Sequence, residues 1–466
     1  MTLRLCGEMK FSMDVTNKRV LVVGLGKSGV ASALFLKARG ASVTVSDTKP
    51  PDELKNEIPA LLDQGIAVET GGHGERTFRG QDLIVVSPGV PVDSPPLVQA
   101  RALGEKVIGE IELAAEFFPG EIVAITGSNG KTTTTTLTGE ILTAGGLSTV
   151  VGGNIGTPAI SLVERASTET IAVLEVSSFQ LETIQTFRPR IAVVLNVTPD
   201  HLDRHRTFAA YTDAKARIFE NQRADDFAVL NAEDPTCVGL ATRTKAGVFW
   251  FSRMEEVKQG AYVREGQILF RDSKGQREIM LLSEIPLKGA HNVENVLAAV
   301  CVGALSKIDP DQIRKAVAAF KAVEHRLEYV ATVRGVEYYN DSKATNVDAT
   351  IKALESFPSN IHLILGGKDK GTDYSVLNDL LRQRVKRIYT IGAAAGKIES
   401  QIKGATEIVH AETLENAIKR ASESAQPGDI VLLAPACASF DQFRSYEHRG
   451  KVFKEVVMAL SAGGKV

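Results

Sequence analysis

Four cysteines in 466 residues (Cys6, Cys237, Cys301 and Cys437) lie far apart and form no C-x-x-C pair. So sparse a set excludes a disulfide framework and a cysteine-based zinc site, and it fits a reducing compartment. No run of about 18 apolar residues occurs, so no transmembrane helix is expected. Met1 to Met13 carries Arg4, Glu8 and Lys10 and no apolar stretch of signal-peptide length. The expected setting is the cytoplasm. Charge of one sign is also missing: 54 Lys and Arg against 56 Asp and Glu leave a net charge of −2. That balance carries no general polyanion-binding signal, and nucleic acid is not an expected partner. There is no short-period repeat and no low-complexity tract.

What is present is an ordinary globular composition, 44% apolar and 24% charged. The length predicts about three domains. Short β-branched runs alternate with helical stretches, the pattern of parallel α/β layers. Strands are predicted at Arg19–Val23, Ser42–Val45 and Leu83–Val86, with a helix over Val30–Arg39. A second α/β unit opens at Ile122–Ile125 and continues through Ile171–Val176 and Ile191–Val197. Between Val248 and Leu287 the runs Val248–Phe251 and Gln267–Phe270 predict a β-rich excursion, followed by a helix over Asn292–Ser306. A third unit has strands near Val336–Tyr339, Ile361–Leu365, Arg387–Ile391 and Ile430–Leu433. The expected domains are 1–108, 109–322 and 323–466.

The segment Thr126-Gly127-Ser128-Asn129-Gly130-Lys131-Thr132 follows a strand and opens a helix. In such a loop backbone N–H groups and the helix N-terminus favour phosphate, the Lys ammonium meets the β/γ-phosphates, and the next hydroxyl can ligate Mg²⁺. Ile125 stands where the strict P-loop pattern requires its first Gly, so the motif alone is incomplete. Glu175 ends a strand, where doubly wound sheets collect ligands, and is a candidate Mg²⁺ ligand. His201 lies in the turn Asn196–Arg204, where a lone His is more often structural, and Asp200 and Asp203 read equally as turn formers.

Gly24-Leu25-Gly26-Lys27-Ser28-Gly29 satisfies G-x-G-x-x-G after a strand, with Asp47 at the end of the next, at the spacing expected for a ribose-binding acid. Alone it suggests a nicotinamide dehydrogenase. Physically it reports only that a pyrophosphate can approach a helix N-terminus, which a UDP diphosphate satisfies equally.

Thr126–Thr132, Glu175-Val-Ser-Ser-Phe-Gln180, Asp200-His-Leu-Asp203 and His291-Asn-Val-Glu-Asn295 together resemble the motifs of the Mur ligases of peptidoglycan synthesis. Asp341–Asn346, Leu365–Lys370 and Pro435–Phe443 resemble those of the D-glutamate-adding branch of that family. The likeness runs from Val20 to Phe453 with the motifs in order. It implies an α/β fold of three domains in series: an N-terminal Rossmann-like UDP-binding domain, a central P-loop ATP-binding domain with a β-rich part, and a C-terminal Rossmann-like domain for the amino acid. The implied activity is an ATP-dependent amide ligase of cell-wall precursor synthesis, with UDP-N-acetylmuramoyl-L-alanine and D-glutamate as small-molecule substrates and the protein a monomer.

The resemblance also implies residue roles. UDP-substrate contacts fall on Lys27, Ser28, Thr48, Lys49, Ser87, Gly89 and Asn154, although Lys27 departs from the apolar residue often found there. ATP contacts fall on Gly127, Ser128, Asn129, Gly130, Lys131, Thr132, Thr133, Asn292, Asn295, Arg326 and Asp341. Lys131, Glu175, His201 and Lys215 carry the chemistry, and two Mg²⁺ ions are held by Thr132, Glu175, His201 and a carbamylated Lys215. A desolvated lysine near cations has a depressed pKa, so its neutral amine can capture CO₂ and become an anionic oxygen donor. D-glutamate falls to Lys343, Thr345, Lys370, Ser439 and Tyr446, the two lysines suiting a substrate with two carboxylates. Two alternatives compete: a Mur ligase of different amino-acid specificity, and a non-catalytic nucleotide-binding regulator that would need neither Glu175 nor Lys215.

Overall fold

A computed structural model describes residues 13–461, save Glu75 and Ala322, and Gly463. Cys6 and most of the N-terminal stretch read above lie outside the described residues. Three separate sheets organise the chain. It divides into two compact units, Met1–Met280 with Val296–Ala316, and Leu281–Asn295 with Val317–Val466.

The first sheet comprises β1 (Arg19–Val23), β2 (Ser42–Ser46), β3 (Ala67–Glu69), β4 (Leu83–Val86) and β5 (Val107–Gly109), in the order β3-β2-β1-β4-β5. All its pairs are parallel. Parallel strands are covered on both faces, which is why β1 and β4 read as unbroken apolar runs. Val20 to Val23 are fully buried. Each such side chain contributes about 1.5–3 kcal/mol relative to exposure. Gly29, in the first turn of the helix Lys27–Ala38, lets that helix close on the sheet, since a Cβ there would meet the Gly24 carbonyl oxygen at 1.8 Å. The helix begins three residues earlier than the apolar pattern indicated, because the glycine turn itself forms its first turn.

The second sheet belongs to the same compact unit. Its strands are β6 (Glu121–Thr126), β7 (Thr149–Gly153), β8 (Ile171–Glu175), β9 (Ile191–Val194), β10 (Phe227–Asn231), β11 (Gly247–Ser252), β12 (Gly260–Arg264), β13 (Gln267–Asp272) and β14 (Gly275–Leu281). Their order is β14-β13-β12-β11-β10-β9-β6-β8-β7. The β-rich excursion is therefore the edge of the central sheet rather than a structure apart. The β12–β13 pair is antiparallel, and the edge strand β14 carries a mostly polar, half-exposed sequence, as an unpaired edge requires. β9 and β8 flank β6 on opposite sides, so the chain reverses direction across the sheet at the carboxyl end of β6, where α/β sheets bind ligands.

The second compact unit holds the third sheet: β15 (Glu328–Val333), β16 (Val336–Asn340), β17 (Ile361–Gly366), β18 (Val385–Ile391), β19 (Glu407–Glu412) and β20 (Ile430–Leu433). The order is β15-β16-β20-β17-β18-β19, parallel except for the β15–β16 hairpin. The carboxyl ends of β16, β20 and β17 are thus adjacent, and they deliver the loops after Asn340, Leu433 and Gly366 to one place. No helix among the described residues is long and apolar enough to cross a membrane.

Candidate active site

The loop after β6 is shaped by two glycines that other residues could not replace. Gly127 has φ +152° and Gly130 φ +85°, and a Cβ on Gly127 would press on Leu195 Cβ at 3.0 Å. Gly130 then precedes the 14-residue helix Lys131–Ala144. The far side of the loop is pinned to the end of β9. Ser128 N–H donates to the Asn196 carbonyl at 2.9 Å and Asn129 N–H to Asn196 Oδ1 at 2.8 Å. Ser128 Oγ is within 3.0 Å of the Tyr211 hydroxyl and 2.9 Å of the Thr198 carbonyl. The loop is therefore a rigid cradle at a helix N-terminus, where the dipole and amide groups favour an anion.

Lys131 folds over this cradle, its Nζ donating to the carbonyls of Gly127 and Ser128, each at 2.8 Å. Thr132 Oγ1 donates to Glu175 Oε2 at 2.8 Å, and Asn154 Nδ2 donates to Glu175 Oε1 at 2.9 Å. Glu175 is buried. Asn154 arrives because β7 pairs with β8 in a register that places Gly153 opposite Glu175. The loop lysine's neighbour, the strand-end acid and the asparagine after β7 thus meet in one place.

Lys215 joins them from the helix Phe208–Ala216. It is only 1% exposed. Its Nζ donates to the Gly127 carbonyl at 2.8 Å, the same oxygen that receives Lys131, and lies 4.7 Å from the Tyr211 ring centroid. Burial first, and the Lys131 charge second, push the Lys215 ammonium well below the ordinary lysine range, while Asp200, Cys237 and Glu175 pull the other way. That shift favours the neutral amine, the state that can react with an electrophile, beside the glycine loop.

His201 is less tightly held. It sits at φ 53° at the start of the short helix Leu202–His205, and its backbone N–H donates to Asp200 Oδ1 at 2.9 Å. Its Nε2 lies 3.7 Å from Asp200 Oδ2 and its side chain is 40% exposed. A left-handed non-glycine residue is strained, and such strain concentrates at functional sites. The turn is backed by buried His205, whose Nε2 is 2.9 Å from Ser178 Oγ and whose Nδ1 is 3.4 Å from Glu182. Ser178 and His205 are both buried, so this serine–histidine–glutamate line braces the turn instead of presenting a nucleophile.

At the first sheet the acid expected to hold a ribose is committed to the backbone. Asp47 Oδ2 accepts from Leu25 N–H at 2.6 Å and Oδ1 from Lys49 N–H at 2.8 Å. Ser87 is buried and its hydroxyl donates to the Gly24 carbonyl at 2.8 Å. Both thus stabilise the glycine turn. Lys27, Thr48, Lys49 and Gly89 are exposed, and Ser28 is half-buried. In the cavity beside Ser87 lies Glu110, whose carboxyl is pushed up to about 7 by burial, against amide donors from Ile160 and Ala159.

The remaining residues belong to the second compact unit. Asn295 Nδ2 donates to Asn292 Oδ1 at 3.0 Å, and Asn292 Nδ2 to the Lys288 carbonyl at 2.7 Å. Arg326 stands between two left-handed residues, His325 (φ 63°) and Leu327 (φ 44°). Burial raises the Asp341 carboxyl to about 6, with Arg326 and Lys343 opposing. Lys343 Nζ lies 5.3 Å from the Tyr446 ring centroid. Ser439 is buried, Lys343, Thr345 and Tyr446 are half-buried, and Lys370 is exposed. The cluster Glu324, His325 and Glu328 has a cation already, because Lys454 Nζ donates to both glutamates at 2.7 Å.

Sequence reasoning assigned no role to Asn196 or Tyr211, and it left Asp200 as a turn former. All three shape the cradle or the surroundings of Lys215. The one available signal was the position of Asn196 and Asp200 just beyond a buried strand.

The chain is similar to known proteins over nearly its whole length. Residues 18–109 match the Mur ligase MurD-like N-terminal domain, 125–303 the Mur ligase middle domain, and 325–437 the Mur ligase glutamate ligase domain. A curated protein of Koribacter versatilis, named UDP-N-acetylmuramoylalanine–D-glutamate ligase, is 69% identical over 449 residues, covering 96% of this chain and 99% of its own. Another of the same name, from Solibacter usitatus, is 53% identical over 450 residues, with 96% and 99% covered. Among solved structures, a pseudomurein peptide ligase type C of Methanothermus fervidus aligns with TM-score 0.60 at 21% identity over 95% of this chain and 100% of its own. The UDP-N-acetylmuramate–alanine ligase of Thermotoga maritima aligns with TM-score 0.59 at 20% identity, over 95% and 99%. These two likenesses speak to the fold.

Proposed function

The chain belongs to the Mur ligase family, and from that premise we propose that it joins D-glutamate to UDP-N-acetylmuramoyl-L-alanine at the expense of ATP. The observation that carries the reading is the convergence of Lys131 and the buried Lys215 on the Gly127 carbonyl, with the buried Thr132–Glu175 pair at the start of the helix that Lys131 opens. A passive nucleotide binder needs neither the buried acid nor the buried amine. A nicotinamide enzyme needs no second phosphate cradle.

The L-alanine carboxylate oxygen attacks the γ-phosphorus of ATP, the bond to the β-phosphate oxygen breaks, and ADP leaves an acyl phosphate. Lys131 moves from the loop carbonyls to the transferring phosphoryl group, where its charge and the helix N-terminus offset the developing negative charge. The amine of D-glutamate then attacks the acyl carbon. The tetrahedral intermediate collapses with cleavage of the carbon–oxygen bond to phosphate, and the amine proton passes to solvent. The Thr132 hydroxyl and the Glu175 carboxylate, in contact at 2.8 Å, offer hard oxygens that fit Mg²⁺. Thr132, Glu175, His201 and a carbamylated Lys215 would hold two such ions, whose role when bound is to neutralise phosphate charge. As a carbamate Lys215 becomes an oxygen donor, which its amine is not.

The first sheet, with Lys27, Ser28, Thr48, Lys49, Ser87 and Gly89, takes the UDP moiety, and Asn154 reaches the sugar-peptide part. Gly127 to Thr133, with Asn292, Asn295, Arg326 and Asp341, take the nucleotide. Lys343, Thr345, Lys370, Ser439 and Tyr446 take D-glutamate, two ammonium groups facing two carboxylates. Domain bounds of 1–108, 109–322 and 323–466, a cytoplasmic setting and a monomeric state complete the reading. Isotope transfer tests the chemistry. With ¹⁸O in the alanine carboxylate, the released phosphate is expected to carry the label. Phosphate free of label would contradict the acyl phosphate.

A further inference from the structure

Arg449 is the largest fully buried side chain of the described residues, at 0% exposure, in a position where nothing in the sequence marks it for the interior. It lies in the first turn of the helix Tyr446–Ser461. No carboxylate pairs with it among the described residues. Its guanidinium donates instead to a ring of backbone and hydroxyl oxygens. Nε donates to Ser342 Oγ at 3.0 Å. One terminal nitrogen donates to the Ser342 and Cys437 carbonyls at 2.8 and 3.2 Å. The other donates to the Cys437 and Ala438 carbonyls at 3.2 and 3.5 Å.

Those oxygens belong to the segments that carry the proposed amino-acid contacts. Ser342 directly precedes Lys343 in the loop after β16, which continues to Thr345. Cys437 and Ala438 directly precede Ser439 in the loop after β20. Ser342 Oγ passes the chain onward by donating to the Tyr446 carbonyl at 2.8 Å. The loop after β17, which ends in Lys370, is latched to the same ring, since Lys368 N–H donates to the Ala438 carbonyl at 2.8 Å and Ala438 N–H to that of Lys368 at 3.2 Å. Gly367 leaves the room required: a Cβ there would come within 2.3 Å of the Ala438 oxygen and 3.2 Å of the Arg449 guanidinium.

We infer that Arg449 is a positioning residue for the amino-acid substrate, its planar fork fixing the mutual distances of Lys343, Thr345, Lys370, Ser439 and Tyr446. The inference rests on the proposed function. A fork of five N–H donors in one plane matches this arc of four oxygens. Lysine keeps the charge but offers three donors at a single point, and it cannot span the two loops. Burying an unpaired cation costs stability, and its retention here without a carboxylate partner fits a demand for geometry over stability.

The test separates geometry from folding. In Arg449→Lys, the KM for D-glutamate is expected to rise at least ~10-fold while those for ATP and the UDP-sugar peptide stay within ~2-fold of the parent enzyme. Ser342→Ala, which removes one hydroxyl from the ring and leaves the backbone intact, is expected to raise the D-glutamate KM by ~3-fold with the same selectivity. If Arg449→Lys fails to fold, Ser342→Ala decides. An unchanged D-glutamate KM in the folded variants, or an equal rise in all three constants, overturns the assignment. A parent enzyme that does not use D-glutamate would instead contradict the proposed function.

Discussion

Lys215→Ala is expected to lower turnover at least ~100-fold, the scale of losing a group that organises charge at a reacting phosphoryl centre. The argument begins with burial. An amine 1% exposed, sharing the Gly127 carbonyl with a second lysine, gains nothing for stability by being charged. As the carbamate it becomes an anion beside Lys131, and the like-charge clash turns into an attraction. The Ala variant loses that anion, and added bicarbonate has no amine to modify, so bicarbonate is expected to leave it inactive. Formate or acetate can place a carboxylate in the space of the missing stem, and partial recovery with such acids is expected. In ¹³C-bicarbonate the parent protein should show a carbamate carbon resonance that the variant lacks. Full turnover by a folded Lys215→Ala protein would refute the carbamate role. Circular dichroism must accompany the assay, because removing a buried stem opens a cavity that costs about 2–5 kcal/mol in comparable large-to-small changes.

Lys131→Ala should be at least as damaging, with kcat reduced by ~10³-fold, because one substitution removes two effects. The ammonium no longer meets the transferring phosphoryl group. In addition, the charge that helps hold Lys215 below its ordinary pKa is gone, so a larger fraction of Lys215 stays protonated and unreactive toward CO₂. The carbamate resonance is therefore expected to weaken in Lys131→Ala, although Lys215 itself is untouched. The double variant Lys131→Ala, Lys215→Ala should be far less impaired than the product of the two single losses, the mark of residues acting as one unit. Multiplicative losses with an undiminished carbamate signal would separate the two lysines and sink this coupling. Arg at 131 should not rescue, since a planar guanidinium does not replace a point charge enclosed at 2.8 Å by two carbonyls.

The parts of this site legible in the sequence were those in which one short segment carries both the structure and the chemistry. Thr126 to Thr132 reads as strand end, glycine turn and helix start, and the folded loop has that form. Glu175 was visible because an acid closing a buried strand points to the carboxyl end of a sheet. The family's three-domain α/β architecture likewise followed from motif order. What the pattern could not carry were partnerships across distant segments. The helix Phe208–Ala216 buries Tyr211, Ala214, Lys215 and Ala216, but Ala209 and Ala210 on the same helix are exposed, so local periodicity leaves Lys215 looking solvated. Asn154 meets Glu175 only through the β7–β8 register, and Thr149–Gly153 ends in glycines that disguise it as a loop. Asp47 matches the spacing of a ribose ligand, yet the fold turns it inward to the Leu25 amide. Arg449 sits in a polar, charged stretch, and its burial arises where three loops converge.

The central claim is that one cradle activates a carboxylate and that the amino acid joined to it is D-glutamate. Phosphate release should therefore be followed with ATP, Mg²⁺ and UDP-N-acetylmuramoyl-L-alanine, adding D-Glu, L-Glu, L-Lys and D-Ala in separate reactions. Sustained release with D-Glu alone, matched by ADP and by the D-glutamyl product, is the result predicted. Turnover sustained by any of the other three, or none with D-Glu, would contradict it.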